Sequence, residues 1–230
     1  MNESRRPVAI AFSLLGVVLA LGWIGSWQLY KHHHHHWMAL VCYLEILAVL
    51  ALVIVMARRE PGLRREITVA SGVFAGVVTL GRMVGWVATH QAAPGFLYHH
   101  NRGITTATGF IALGLLAVAV AIFAYRWIIQ SPMVQAGPHL VVAIALGCLI
   151  ALFTGPAASR SYPFQDGAGQ FFQRMWLFFA AGIAGVIFGY IAAVAMGRDY
   201  RSRGLQALAA KARTPVRQQS RGGGKAKARR

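Results

Sequence analysis

The sequence predicts an all-α integral membrane protein with about six transmembrane helices. Hydrophobic residues make up 57% of its 230 residues and charged residues only 13%, whereas an ordinary soluble domain is about 25% charged. A chain of this composition cannot cover a water-facing surface. Its apolar residues also fall in runs of about 20, the length at which a helix crosses the hydrocarbon core. Since lipid offers the backbone no hydrogen-bond partner, these runs must be helices.

The six predicted spans are separated by short polar segments. They are residues 8–29, 38–56, 67–88, 104–124, 139–154 and 175–195, of which the fifth is the shortest. We therefore expect a six-helix transmembrane domain at 1–196 and a basic tail at 197–230. Residues 198–213 of the tail fit a short amphipathic helix. The glycine-, lysine- and arginine-rich remainder is of low complexity and is predicted to be disordered.

The positions of the basic residues predict the orientation. With the N-terminus inside, the cytoplasmic side carries 18 of the 23 lysines and arginines, as the positive-inside rule requires. We expect a bacterial inner-membrane protein with both termini in the cytoplasm. The net charge of +17 follows this topology, so no nucleic-acid partner is expected. Anionic lipid is the predicted partner of the basic residues that open the tail, Arg198, Arg201, Arg203, Lys211 and Arg213.

Two ionisable residues lie inside the predicted spans. Glu45 follows the start of the second span, and Arg82 precedes the end of the third on the same side. At about 1.5 Å per residue, both lie roughly 12 Å below the outer boundary on antiparallel helices. Because an unpaired charge is unfavourable at that depth, we expect the two to face each other as an ion pair. The pair either holds the helices in register or belongs to a proton, ion or substrate site.

Histidines are concentrated on one side of the membrane. Only His139 falls on the cytoplasmic side, and the other eight border two outer loops. Neutral imidazole is a common ligand of transition metals, so two adjacent loops could together hold one ion, with copper or zinc as the candidates. The candidate ligands are His32, His33, His34, His35, His36, His90, His99 and His100.

Other interpretations of the histidines stay open. A run of five can be an accident of composition or an inserted affinity tag, and histidine at an interface can serve only as a polar cap. Haem is the less favoured cofactor, because b-type cytochromes use histidines deep in the bundle on different helices. No histidine of this chain is deep in a predicted span.

Small residues spaced four apart are frequent in the spans. Such GxxxG pairs let helix backbones approach closely, and we interpret them as internal packing surfaces, with oligomerisation as the alternative. The pairs are Gly72 and Gly76, Gly81 and Gly85, and Gly185 and Gly189.

Catalytic motifs are missing from the sequence. It has no nucleophile elbow, P-loop, HExxH motif or carboxylate pair, and only six acidic residues in all, so an enzyme is not favoured. The favoured function is a non-catalytic accessory or assembly subunit of a larger respiratory or photosynthetic membrane complex, with metal binding at the outer histidines. The alternatives are a small transporter or metal-handling protein and a protein with a single b-type haem. No motif singles out a known family.

Overall fold

The computed structural model describes residues 6–32, 35–59, 62–91 and 101–213, with side chains for 13–32, 37–59, 62–89 and 107–210. Its helices are, in chain order, α1 (Arg6–Lys31), α2 (His35–Arg59), α3 (Leu63–Gln91), α4 (Asn101–Gln130), α5 (Met133–Ala158), α6 (Ala168–Ala195) and α7 (Tyr200–Arg213). No strand occurs within these ranges. The first six helices are long and apolar enough to cross a membrane. The protein is therefore an all-helical multi-pass membrane protein, as the sequence predicted.

The helices are longer than the predicted spans, most of all in the second half of the chain. The fifth span, predicted at 139–154, lies within α5, which includes both Pro138 and Pro156. Proline removes one helical hydrogen bond, and transmembrane helices tolerate this because neighbouring groups satisfy the freed backbone. The predicted sixth span began at Met175, but α6 begins at Ala168. The connection between α5 and α6 is consequently short.

Helix α5 lies at the centre of the bundle. Of its candidate membrane span, 67% is buried inside the protein, against 22 to 28% for the other five spans. Its main neighbour is α3, which also packs against α4, and α4 in turn packs against α6. Helix α1 contacts mainly α2, so the α1–α2 pair lies at the periphery and joins the bundle through α3 and α5.

Both apolar and polar contacts join α3 to α5. Phe74 is 1% exposed and belongs to the main hydrophobic core together with Ala143. The Ser71 hydroxyl donates a hydrogen bond of 3.1 Å to the carbonyl oxygen of Ala143 on the facing helix. Further along, the hydroxyl oxygens of Thr79 and Thr154 are 2.8 Å apart. These hydroxyls tie two transmembrane helices together at depths where water cannot compete.

Glycines lie where helices approach most closely. A Cβ atom built at Gly147 of α5 would lie only 2.8 Å from the Cβ of Phe74, and one at Gly189 of α6 only 2.9 Å from the Cβ of Ala124. Gly81 and Gly85 face α4 in the same way. The interpretation of the glycine pairs as internal packing surfaces is confirmed for these contacts. Gly76 is an exception, because nothing lies within 4 Å of the Cβ position there.

The first part of the basic tail is helical and touches the bundle. The chain leaves α6 through Gly197, whose φ of +61° is the left-handed conformation that suits glycine after a helix. The Asp199 carboxylate then accepts a hydrogen bond of 3.1 Å from the Ser202 backbone N–H in the first turn of α7, which is an N-cap. Arg203 of α7 donates to the carbonyl oxygen of Ile129 near the end of α4. This contact holds α7 against the bundle.

The glycine contacts predict a stability difference between two matched substitutions. Gly189→Ala should destabilise the protein by about 1–3 kcal/mol, because the new methyl group overpacks the α4–α6 contact. Gly114→Ala is the control, since nothing lies within 4 Å of its Cβ position and alanine favours the helix. Thermal unfolding in detergent should show a lower midpoint for the first variant only. Equal midpoints would mean that α4 and α6 are not in close contact.

Candidate functional site

One end of the bundle gathers most of the polar side chains that could carry chemistry. Consecutive helices run in opposite directions, so the last residues of α1, α3 and α5 lie at the same end as the first residues of α2, α4 and α6. We call this end, marked by Lys31, His35 and Gln91, the histidine end.

Four of the predicted metal ligands lie at the histidine end. His32 is exposed just after α1, His35 and His36 open α2, and His90 is the penultimate residue of α3. His139 is in α5 near the opposite end. The other candidates, His33, His34, His99 and His100, lie outside the described residues. Among the described side chains, no three histidines, cysteines or carboxylates gather as a metal site. Metal binding by the histidines stays a prediction.

Glu45 is buried against α1. Its side chain is 6% exposed, and its carboxylate occupies the space that a Cβ atom at Gly22 would need. The glycine therefore lets the carboxylate lie close to the α1 backbone. The Oε1 atom of Glu45 has no hydrogen-bond partner among the described residues.

Arg82 points elsewhere. Its stem runs past α5, where the Cγ and Nε atoms lie 3.7 and 3.9 Å from a Cβ position at Gly155. The charged residues that interact with it electrostatically are Arg174 and Asp166. Within the described part of the chain, no ion pair joins Arg82 to Glu45, because Glu45 faces α1 while Arg82 faces α5 and α6. The structure does not show the contact that the sequence predicted.

The Arg82 side chain reaches a cavity in the half of the bundle nearest the histidine end. The cavity has a volume of about 510 Å³ and lies between α3, α4, α6 and the residue after α5. Its polar or charged lining comes from Arg82, Arg174, Thr89, Thr108 and Ser159. Most of the remaining wall is apolar, and Gly81, Gly85 and Gly109 widen it.

Two further arginines lie toward the histidine end of the bundle. Arg174, near the start of α6, lines the same cavity and forms an ion pair with Asp166 in the connection before that helix. Arg160 lies over the ring of Trp86, 4.5 Å from its centroid, and within 6.0 Å of the Tyr43 ring. A cation over an aromatic face is stabilised by about 0.5–2 kcal/mol. Three of the described arginines and one exposed carboxylate thus lie toward the histidine end, and Arg174 is the one that shares the cavity with Arg82.

The connection between α5 and α6 is held against α1. The rings of Tyr162 and Tyr30 are 5.2 Å apart, as are those of Phe164 and Trp23. Phe164 also stacks on Phe171 of α6 at 4.4 Å. These contacts anchor the segment that carries Arg160 and Asp166. Sequence analysis did not place Arg160 or Arg174 in a site, since their spacing alone does not show which side chains they meet.

Comparison with known proteins assigns no role to this end of the bundle. The chain matches no protein-family model, and no curated protein or solved structure is significantly similar to it. The class that the fold defines is a multi-pass α-helical membrane protein. Its function must be inferred from its own residues.

The separation of Glu45 from Arg82 predicts the result of a double-mutant cycle. In Glu45→Gln and Arg82→Gln, alone and combined, we expect effects on unfolding free energy that add within about 0.5 kcal/mol, as for residues without contact. Each single substitution should be neutral or stabilising, because it removes from the membrane an ionisable group that has no ion-pair partner among the described residues. Chemical unfolding in mixed micelles measures all four proteins. A coupling energy above about 1 kcal/mol would mean that the two residues pair after all.

Proposed function

We propose that the protein is a non-catalytic accessory subunit of a larger membrane complex and binds a transition metal at its histidine end. The observation that supports this is the shared position of His32, His35, His36 and His90, which three helices bring to one end of the bundle. Two to four imidazoles from different helices suffice for copper or zinc. The histidines at 99 and 100 precede α4, which begins at the same end.

The partner would be another membrane protein, and the surface between α2 and α3 supports that part of the proposal. An open apolar groove of about 470 Å³ runs along the two helices. It is lined by Gly72 and Gly76, and the Cβ position of Gly76 has no neighbour within 4 Å. Small residues on an open face let a second transmembrane helix approach closely. A partner helix is the occupant we propose for this groove.

The proposed orientation places the histidine end outside the cytoplasm, in a bacterial inner membrane. The opposite end carries Arg58, Arg59, Arg64, Arg65 and the basic residues of α7, as the positive-inside rule requires of a cytoplasmic face. Arg198 follows the last transmembrane helix, α6, and Arg201, Arg203, Lys211 and Arg213 lie in α7. Anionic lipid headgroups are their proposed partners at that face.

Metal content tests the central part of the proposal. The protein is purified from its native membrane through a C-terminal epitope tag, without an immobilised-metal column, and its copper, zinc and iron are counted by mass spectrometry. We expect near-stoichiometric metal in the natural protein and its loss when alanine replaces the histidines at 32–36. His139→Ala is the matched control, since this histidine lies toward the opposite end, and it should keep the metal.

The same preparation tests the assembly. A second membrane protein at fixed stoichiometry would support the accessory role. Metal-free protein in all three preparations would overturn the metal site, and a protein that purifies alone under gentle detergent conditions would overturn the accessory role. A Soret band in the natural protein would show that the protein binds haem instead of the proposed metal ion.

Orientation is tested by labelling intact cells with a membrane-impermeant maleimide. Lys31, the last residue of α1, and Arg58, in the last turn of α2, are both exposed and lie at opposite ends of the bundle. Each is replaced by cysteine in turn. We expect Lys31→Cys to react and Arg58→Cys to be protected until the cells are opened. The native cysteines, Cys42 and Cys148, are buried and contribute little background. The reverse pattern would invert the proposed topology.

A further inference from the structure

The cavity next to Arg82 carries more positive charge than its own residues neutralise. Arg82 and Arg174 both line it, and Arg160 lies over Trp86 in its wall. The carboxylate that neutralises part of this charge is Asp166, which pairs with Arg174 and is 53% exposed. Glu45, the acidic residue of α2, does not face the cavity but faces α1. Among the described residues, therefore, no carboxylate pairs with Arg82.

The position of Arg82 makes this imbalance informative. It is seven residues before Thr89, where the candidate span of α3 ends, so it lies roughly 10 Å inside that boundary. Ionisable residues at such depth are rare, and they pair with one another or face the bundle interior or a water-filled cavity. Arg82 lines the cavity. It is partly exposed, and no hydrogen bond holds its guanidinium among the described residues.

We propose that this cavity binds an amphiphilic organic acid, whose phosphate or carboxylate group pairs with Arg82 and Arg174 and whose apolar body lies inside the bundle. A guanidinium forms two parallel hydrogen bonds to either acidic group. The hydroxyls of Ser159 and Thr108 lie in the same wall.

The size and walls of the cavity determine the rest of the ligand. At about 510 Å³, it is much larger than a bare phosphate ion and falls within the range of pockets for small organic molecules. Below the arginines, the wall consists of apolar side chains from three helices, which suit a hydrocarbon or aromatic body. They are Val78, Ala112, Leu113, Leu177 and Phe178.

Asp166 competes with the acidic group of the ligand for Arg174. Its ion pair with Arg174 neutralises that arginine in the empty cavity, and the bound acid would have to share or displace it. Removing the carboxylate should therefore tighten binding. A purely structural role of the Asp166–Arg174 pair makes no such prediction.

The test titrates the full-length protein in a neutral detergent with four probes. Hexyl phosphate and hexanoate carry the acid and an apolar chain, hexanol carries only the chain, and inorganic phosphate carries only the acid. Binding is measured calorimetrically. We expect saturable binding of at least one of the two acids, and at least tenfold weaker binding of hexanol and of inorganic phosphate.

Substitutions then assign the site. Arg82→Gln and Arg174→Gln should each weaken binding of the acid by about tenfold or more, as expected for loss of a charged hydrogen bond. Asp166→Asn should strengthen it several-fold. Lys31→Gln is the matched control, because it removes a positive charge at the histidine end but outside the cavity, and it should leave binding unchanged within about twofold.

The unfolding midpoint of each variant, measured without ligand, shows whether the variant is still folded. Arg82→Gln should unfold at or above the midpoint of the natural protein, because it removes from the membrane-spanning region a charge that no described carboxylate pairs with. The proposal is overturned if neither acid binds, if hexanol binds as well as the acids, or if Arg82→Gln binds normally. It is also overturned if inorganic phosphate alone binds as tightly as hexyl phosphate.

A final measurement distinguishes a lipid from a soluble acid. Native mass spectrometry of the protein from its own membrane would show a co-purified acidic lipid that Arg82→Gln lacks, if the ligand comes from the bilayer. Binding of hexyl phosphate or hexanoate without any co-purified lipid would assign the site to a water-soluble acid. Arg82→Gln leaves the histidines intact. This variant should therefore lose the acid but keep any metal bound at the histidines, so the acid site and the metal site can each fail independently.

Discussion

The close approach of α3 to α5 is the contact on which the rest of the bundle depends. Lipid tails are as apolar as leucine, so transmembrane helices associate through close packing and a few hydrogen bonds rather than through the hydrophobic effect. Gly147 supplies the close packing against Phe74, and the Ser71 hydroxyl supplies a bond to the Ala143 carbonyl. Because α5 is the most buried helix, its contacts with α2, α3 and α6 determine where the remaining helices can lie.

This packing also determines which charges meet. With α3 seated on α5, Arg82 runs past Gly155 and into the cavity beside α6, whereas Glu45 on α2 faces α1. Aromatic contacts then hold the connection between α5 and α6 over α1, and this brings Arg160 to the ring of Trp86. The positive charge is thus concentrated here for two reasons. Helix α3 is turned so that Arg82 faces the cavity, and the short connection between α5 and α6 is anchored against α1.

The two proposed sites lie at the same end of the bundle but use opposite chemistry. A metal at the histidines needs neutral imidazoles and is itself a cation, while the arginine cavity attracts an anion. His32, His35, His36 and His90 lie at helix ends, whereas Arg82 lies within the span of α3. A cation held at the histidines and an acid held in the cavity would attract each other across this end of the bundle.

The class of protein, the six helices long enough to cross a membrane and the internal packing of most glycine pairs follow from the sequence alone. These depend on local properties, since a run of apolar residues in lipid must be a helix and glycine permits close packing wherever it lies. Three features depend on tertiary packing and do not follow from the sequence: the extension of α5 through Pro138 and Pro156, the separation of Glu45 from Arg82, and the shared cavity of Arg82 and Arg174. The reason is physical: in a membrane helix, the face toward lipid and the face toward the core are both apolar, so no amphipathic pattern shows which way each helix is turned.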